Sequence, residues 1–398
     1  MVYPVARLNL DALHLNKIVI RYNSGQGQYA ASGGQKTGNF MTCISRKMNM
    51  PWIQSPLPLK ATVQRGLAKV LLVFVLVANF APIASAADHA VILMYHRFGE
   101  DQIPSTNIRL EQFDRHLEII ADGGFTVWPL GKIVQHLQDG KPLPDRTVAL
   151  TVDDAYLSVY DEAWPRLKAR GFPFTLFVAT DPIDRKNRGY MNWDQLRELQ
   201  AAGVEIGSQT ASHPHMHLID VKDSISEISR SNQRFLDELG MRPDLFAYPY
   251  GEYNLAVIDA VKAAGFIAAF GQNSGVAHGY DGFFELPRFA MNERYGTESR
   301  LRLAINGLPL KVNQVLPEDV VIAKNPPAFG FTLAPELSDN QRLNCFNSTY
   351  EKLEITRFGP RIEVRFPGPL PPGRARVNCT MPAEAGRWRW FGKQFLVP

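Results

Sequence analysis

Two adjacent aspartates follow a predicted strand. The run T-V-A-L-T-V at residues 147–152 is mostly β-branched or apolar, which is typical of a buried strand, and Asp153 and Asp154 come directly after it. Successive strand residues point to opposite faces, so the two carboxylates cannot play the same part unless the chain turns. A turn is expected, because a helical pattern begins at Tyr156. Capping of that helix would explain one aspartate well and both poorly, so the pair is a candidate for chemistry.

Three of the nine histidines lie within five residues, after another predicted strand. His213, His215 and His217 come shortly after the strand 204–208, close to a candidate carboxylate ligand. Imidazole and carboxylate suit zinc or a similar divalent ion. His215 and His217 are interpreted as residues on the surface of the loop, whereas His213 is interpreted as a functional residue.

Strands alternate with helices along residues 90–306. This alternation predicts βα units and a mostly parallel sheet. The predicted class is α/β, a distorted (β/α)7-type barrel, complete or incomplete, with a small C-terminal all-β module. The predicted strands are 90–95, 147–152, 173–179, 204–208, 245–248, 266–270 and 284–290, and the predicted helices lie near 110–120, 131–138, 156–170, 193–202, 221–239, 254–264 and 297–306.

The remaining polar candidates also stand at strands. His96 follows the first strand, and Tyr250 and Arg288 each follow a proline in a later one. The carboxyl ends of parallel strands meet at one face of a barrel, so we expect these groups to converge with the aspartates and His213. That convergence is stronger evidence for a site than any single residue.

The last 91 residues, 308–398, have a different character. Prolines interrupt the chain, and short alternating runs predict a small β-sandwich-like domain. Cys345 and Cys379 form an even pair in this part, most simply one disulfide if the chain is exported, although two free thiols are the alternative. Its aromatic residues are interpreted as core or interdomain surface in preference to a sugar-stacking platform; they are Trp388, Trp390 and Phe391.

The beginning of the chain predicts export. A basic stretch from Lys60 precedes the apolar run 70–78, and A-S-A at 84–86 resembles a cleavage site, so residues 60–86 are predicted to be a signal peptide. An uncleaved membrane anchor is the alternative. Residues 1–59 are predicted to be an unstructured extension, and Met48 and Met50 are candidates for the true start. The predicted domain after cleavage covers residues 87–307, in the periplasm or outside the cell.

The charge distribution argues against nucleic acid as a partner. Residues 1–86 carry nine basic residues and one acidic residue, and the remainder carries 34 basic and 38 acidic residues. The folded part is therefore slightly acidic and lacks the basic excess that binds phosphate backbones.

Four motifs, in order along the chain, resemble those of the polysaccharide deacetylases, carbohydrate esterase family 4 or the NodB-homology domain. The resemblance covers Ala90–Asn292, and the early L-M-Y-H at 93–96 looks like the poly-N-acetylglucosamine deacetylases within that family. The four motifs are T-V-D-D-A at 151–155, S-Q-T-A-S-H-P-H at 208–215, F-A-Y-P-Y-G-E-Y-N at 246–254 and L-P-R-F at 286–289.

The resemblance implies a role for each candidate residue. Asp153 matches the catalytic base, and Asp154 and His213 match ligands of a divalent metal, zinc or else cobalt or nickel. The backbone N–H of Tyr250 matches part of the oxyanion hole. Arg288 matches the residue that orients the base, and His96 matches the general acid of the poly-N-acetylglucosamine branch.

Two positions depart from the family pattern. Gln209 replaces the first histidine of the metal motif, and a neutral amide oxygen binds zinc more weakly than imidazole. Ala155 replaces the glycine after the aspartate pair. The expected function is metal-dependent removal of N-acetyl groups from an envelope or extracellular polysaccharide. A glycan-binding protein without catalysis, and a hydrolase of another amide or of an O-acetyl ester, stay open as alternatives, as does the oligomeric state.

Overall fold

Strands and helices alternate along the first part of the described chain. The computed structural model describes residues 86–280, 282–337 and 339–398. The strands are β1 Ala86–Ala87, β2 His89–Tyr95, β3 Arg97–Phe98, β4 Asn107–Ile108, β5 Thr126–Val127, β6 Leu143–Pro144, β7 Thr147–Asp153, β8 Thr175–Val178, β9 Glu205–Ser208, β10 Leu245–Ala247, β11 Ala268–Phe270, β12 Ala277–His278 and β13 Phe289–Ala290. The helices are α1 Leu110–Asp122, α2 Leu130–Gln138, α3 Trp164–Ala169, α4 Thr180–Asp184, α5 Trp193–Ala201, α6 Val221–Leu239, α7 Leu255–Ala263 and α8 Glu298–Ile305.

The central sheet follows the order of the chain, which is what successive βα units produce. Its path is β11–β10–β9–β8–β7–β2–β12, with β13 also paired to β2 and β5 paired to β7. The pairs are parallel except for β12 with β2. The predicted α/β class with a barrel-like sheet is confirmed, and the carboxyl ends of β2, β7, β8, β9 and β10 lie side by side.

The two faces of β7 carry different side chains. Val148, Leu150 and Val152 belong to the core cluster that also holds residues of α1, α3, α5 and α6. Ala149 belongs to a second cluster, which also holds residues of α2, β2, β8, β10 and β11. Because strand side chains alternate, Asp153 lies on the Ala149 face, inside the curved sheet.

Two predicted elements are interrupted by proline. The helix predicted over 156–170 is divided into a π-helix at Val159–Ala163 and the α-helix α3. Pro165, near the start of α3, has no backbone N–H, so one continuous series of helical hydrogen bonds cannot run through it. The strand predicted over 284–290 is shortened to β13, with only a bridge from Phe270 to Leu286 before Pro287.

Two four-stranded sheets form the C-terminal part. Their orders are β14–β21–β20–β17 and β15–β16–β19–β18. The predicted disulfide between Cys345 and Cys379 is present and joins opposed residues of β17 and β20. The strands are β14 Leu308–Pro309, β15 Val312–Leu316, β16 Phe329–Leu333, β17 Asn344–Asn347, β18 Glu354–Phe358, β19 Arg361–Arg365, β20 Gly373–Pro382 and β21 Trp388–Val397.

Two of the three aromatic residues of this part lie in the core or between the domains, as predicted, and the third does not. Phe391 packs against the core of the sandwich, and Trp390 is buried against Phe289 of the first domain. Trp388 is 38% exposed.

The predicted N-terminal extension and the predicted signal peptide, apart from Ala86, lie outside the described residues. No helix in the described ranges has both the length and the apolar character needed to cross a membrane.

Replacing Cys345 and Cys379 together by alanine should lower the free energy of unfolding. The two residues are 34 positions apart. Closing a loop of this length is worth about 3 to 4 kcal/mol in the unfolded chain. Urea unfolding of protein produced in an oxidising compartment measures the loss, and a reductant should then destabilise the native protein but not the variant. Equal stability of the two proteins would contradict a structural role for the disulfide.

Candidate active site

Asp153 is held inside the barrel by a buried arginine. Arg288 Nη1 donates to Asp153 Oδ1 at 2.7 Å, Arg288 Nη2 donates to Oδ2 at 2.9 Å, and both residues are fully buried. The guanidinium also donates to the carbonyl of Gly271 and to the hydroxyl of Thr151. Two parallel hydrogen bonds fix the plane of the carboxylate as well as its position, and only a paired charge is tolerated at such burial.

His96 lies beside this pair because β2 and β7 are neighbours. Tyr95 is opposite Val152 in the parallel ladder, so the next residue of each strand leaves the sheet at the same edge. His96 Nε2 is 3.8 Å from Asp153 Oδ2, and the side chain is mostly buried. A base candidate and an acid candidate therefore share one edge of the site.

Asp154 turns away from Asp153 and meets His213. The chain takes the left-handed conformation at Asp154 and Ala155, with φ of 77° and 51°, and Asp154 N–H donates to the carbonyl of Phe177. Asp154 Oδ1 is 3.3 Å from His213 Nε2. Burial raises the pKa of Asp154, but the hydrogen bond from His213, the charge of His96 and a hydrogen bond from Tyr156 outweigh it and lower the pKa to about 2.

Gln209 is a buried polar residue whose side-chain amide has no hydrogen-bond partner among the described residues. It follows β9 directly, and its backbone N–H donates to the carbonyl of Val178 at 2.9 Å. The side chain is fully buried, and neither Oε1 nor Nε2 has a hydrogen-bond partner among the described residues. An amide buried without a partner costs about 1 to 3 kcal/mol by mutational estimates, so a group that accepts its oxygen as a ligand would remove part of that cost.

The three histidines of the cluster have three different environments. The His213 ring packs edge-on to Tyr250 at 4.5 Å between ring centroids. His215 is 48% exposed and stacks on the other side of Tyr250 at 4.0 Å. His217 is only 13% exposed, so its interpretation as a surface residue is wrong; its Nδ1 lies 3.3 Å from Glu252 Oε2.

Tyr250 lies in a tight turn with left-handed backbone, at φ 59° and ψ 5°. The two hydrogen bonds of the turn use the N–H groups of Gly251 and Glu252, which donate to the carbonyls of Tyr248 and Pro249. Neither bond uses the Tyr250 N–H, which has no backbone acceptor among the residues that the structure describes. A free backbone donor at such a turn is what an oxyanion requires.

Two residues near the site were not identified from the sequence. Glu252 is buried and pairs with His215, His217 and Arg374. Burial raises its pKa, but the hydrogen bonds from the two histidines lower it overall. The position of Glu252 just after a strand end was a usable signal, whereas Arg374 lies in β20 and only the tertiary structure brings it to the site.

Aromatic residues near the strand ends are mostly core. Phe98, Tyr253 and Phe289 are buried. Tyr156 is nearly buried, with the guanidinium of Arg97 3.4 Å from its ring centroid. Burial and the charge of Asp154 raise the pKa of the Tyr156 hydroxyl, so this residue acts as a neutral hydrogen-bond donor to the carboxylate.

Known proteins resemble this domain in sequence and in fold. Residues 140–269 match the family model described as polysaccharide deacetylase. This part of the chain is similar to the polysaccharide deacetylases. The family resemblance and the enzyme class predicted from the motifs, a hydrolase acting on C–N bonds, are therefore confirmed.

Two relatives illustrate how far the likeness reaches. YxkH of Bacillus subtilis (strain 168), classed by its name as a polysaccharide deacetylase, is 27% identical over 198 residues, which is 50% of this chain and 69% of YxkH. The poly-beta-1,6-N-acetyl-D-glucosamine N-deacetylase of Escherichia coli (strain K12) is 24% identical over 43% of this chain, and the match spans only 32% of that protein.

Two solved structures share the fold. IcaB from Ammonifex degensii has a TM-score of 0.50 at 25% identity and covers 55% of this chain and 97% of its own. The Streptococcus pyogenes deacetylase PplD in complex with acetate has a TM-score of 0.52 at 21% identity and covers 56% of this chain and 99% of its own. The roles of individual residues remain predictions.

Removing Arg288 should destabilise the fold through the charge that it leaves behind. Arg288→Met is expected to lower the free energy of unfolding by about 3 to 5 kcal/mol, because the Asp153 carboxylate stays buried without a partner. Adding Asp153→Asn should recover part of that loss, since no charge is then left inside the barrel. Urea unfolding measures both variants beside Arg294→Met, which changes an exposed arginine. A double variant as unstable as the sum of the single variants would contradict the pairing.

Proposed function

We propose that this protein is an exported, metal-dependent deacetylase that removes N-acetyl groups from a polysaccharide of the N-acetylglucosamine type. The observation that carries the proposal is the meeting of an arginine-held carboxylate, Asp153, with His96 at the end of β2 and with the adjacent Asp154, which pairs with His213. The substrate class is supported by relatives named poly-beta-1,6-N-acetyl-D-glucosamine N-deacetylase.

The donor atoms at the second pair fit a divalent cation. Asp154 stays ionised, His213 offers an imidazole nitrogen, and the Gln209 amide oxygen is buried without a partner. A carboxylate, an imidazole and an amide oxygen suit zinc, cobalt or nickel with positions left open. A divalent ion bound there supplies Lewis-acid polarisation of a carbonyl and a lower pKa for water.

The residues of the chain divide the work of hydrolysis among them. Asp153 takes a proton from the attacking water, and Arg288 pairs with the carboxylate and fixes its orientation. The Tyr250 N–H stabilises the oxyanion that forms on the acetyl carbonyl. His96 gives a proton to the amine as the C–N bond breaks, so that acetate and a free amino sugar are the products.

Export is supported by the C-terminal disulfide. Structural disulfides persist mainly in oxidising compartments, and Cys345 is joined to Cys379. The predicted signal segment would deliver the protein to such a compartment, the periplasm or the cell exterior.

The second candidate function is glycan binding without hydrolysis. Gln209 favours it, because an amide at a ligand position weakens the affinity for metal and a metal-poor site is inactive. The retention of Asp153, Asp154, His213, Arg288 and His96 in one constellation favours the deacetylase.

Metal dependence and Gln209→His together separate the two functions. The protein, stripped of metal with a chelator, should release acetate from N-acetylglucosamine oligomers only after zinc, cobalt or nickel is added. Gln209→His should lower the zinc concentration that gives half-maximal activity by about tenfold or more, because imidazole replaces an amide oxygen. Gln233→His, at an exposed position on α6, is the matched control.

Each outcome of that assay has a meaning. Release by the native protein supports the deacetylase. Release by Gln209→His alone supports the glycan-binding protein. Silence of both proteins would contradict the proposed substrate class.

His96→Ala should slow the step in which the amine leaves, because the amine needs a proton to depart. Deacetylation of the amide is expected to slow by about 100-fold or more, the usual contribution of a positioned acid. Hydrolysis of 4-nitrophenyl acetate should slow far less, because nitrophenolate leaves without a proton. His136→Ala, a histidine on α2, is the control. Equal losses on the amide and on the ester would exclude His96 as the acid.

A further inference from the structure

The C-terminal β-sandwich touches the turn that carries the candidate oxyanion donor. Arg374 of β20 donates from Nη1 to the carbonyl of Tyr250 at 3.1 Å, and its Nε lies 3.4 Å from Glu252 Oε1. Gln394 of β21 donates from Nε2 to the carbonyl of Gly251 at 2.8 Å. Three successive residues of the turn are therefore held by two side chains of the other domain.

The two side chains that hold the turn, Arg374 and Gln394, are themselves fixed in position. Gln394 is almost completely buried, and its Oε1 accepts a hydrogen bond from Arg376 Nε at 2.9 Å. Its amide therefore has its acceptor side occupied and its donor side aimed at Gly251. Arg374 is partly exposed, but its guanidinium spans two acceptors that are two residues apart, which fixes its plane.

Strand β21 also contacts the segment around Asn273, which is hydrogen-bonded to the backbone of Arg288. Asn273 Nδ2 donates to the carbonyl of Gly392 at 2.9 Å, and the Asn273 carbonyl accepts from the backbone N–H of Arg288 at 3.0 Å. The approach is so close that a Cβ on Gly392 would lie 2.1 Å from the carbonyl oxygen of Ser274. Only glycine permits this contact.

The turn needs this support because its backbone is strained. Tyr250 has φ 59°, a left-handed conformation that is disfavoured for a non-glycine residue because its Cβ comes too close to the following carbonyl oxygen. Such a conformation persists only where the surroundings over-determine it. The left-handed conformation of Tyr250 sets the direction of its N–H. A turn that relaxed to another conformation would therefore point this donor away from the reacting carbonyl.

We propose that the C-terminal β-sandwich positions the active-site turn, with Arg374 and Gln394 as positioning residues that hold Tyr250 in its left-handed conformation. The inference rests on the proposed function for its catalytic consequence, but the conformation of the turn can be read without activity. On this account the β-sandwich is part of the active site and not a detachable module for binding sugar.

Three variants test the proposal, each with limited disturbance of the fold. Arg374→Ala removes both contacts of that side chain, and Arg374→Lys keeps the charge beside Glu252 but loses the planar fork. Gln394→Glu keeps the acceptor for Arg376 and removes the donor to Gly251. Arg365→Ala, at an exposed position in β19 of the other sheet, is the matched control.

The first measurement is amide hydrogen exchange of the full chain. Exchange in residues 248–254 should rise by about tenfold or more in Arg374→Ala and Gln394→Glu, while exchange in β2 and β7 stays as in the native protein. Arg365→Ala should change neither. Unchanged exchange in the turn would overturn the proposal, and so would a uniform rise across the protein, which would indicate a general loss of stability.

The second measurement is the kinetics of acetate release. We expect kcat to fall by about 10- to 100-fold with KM little changed, because a small misplacement of a catalytic group is costly in the transition state. Arg374→Lys should recover only part of kcat, and full recovery would overturn the role of the fork. If even the native protein releases no acetate while exchange in the turn rises as expected, the proposed function fails and the positioning of the turn stands.

Discussion

The buried pair of Asp153 and Arg288 is the constraint around which the site is built. Neither side chain is exposed, so neither charge can rely on water and each depends on the other. Arg288 also donates to the backbone carbonyl of Gly271. The requirement fixes two distant parts of the chain, the end of β7 and the start of β13, at one point inside the sheet. His96 and Asp154 take their places by being the next residues along β2 and β7.

Backbone strain is concentrated where the chemistry is expected. Nine non-glycine residues of the described chain have positive φ, and five of them stand in the site loops: Asp154, Ala155, Thr210, His213 and Tyr250. Strain of this kind is held in place by the packing around it, and it aims side chains and N–H groups in directions that relaxed loops do not offer. Ala155 explains why glycine is expected after the aspartate pair, since its φ of 51° carries a steric penalty for any residue with a Cβ.

Contacts between the two domains join the site to the C-terminal sheets. Trp390 packs on Phe289, the residue after Arg288, and the guanidinium of Arg300 lies 5.0 Å from the ring centroid of Trp390. On the opposite side of the site Arg374 reaches the Tyr250 turn. One four-stranded sheet thus packs against the residue next to Arg288 and hydrogen-bonds to the Tyr250 turn. The geometry of the active site therefore depends on residues more than 80 positions away in the chain.

The sequence by itself determined the βα alternation, the strand that ends in two aspartates, the set of converging polar residues and the cysteine pair, because periodicity, strand ends and motif spacing are local properties. It misplaced elements where a proline, Pro165 or Pro287, interrupts a pattern that is otherwise periodic, and it left out short elements such as α4 and β12. The tertiary structure alone decided that His217 is mostly buried beside Glu252, that the Gln209 amide has no hydrogen-bond partner among the described residues, and that Arg374 hydrogen-bonds to the Tyr250 turn. Those are contacts between segments far apart in the chain, set by how the two domains pack, and no local pattern encodes them.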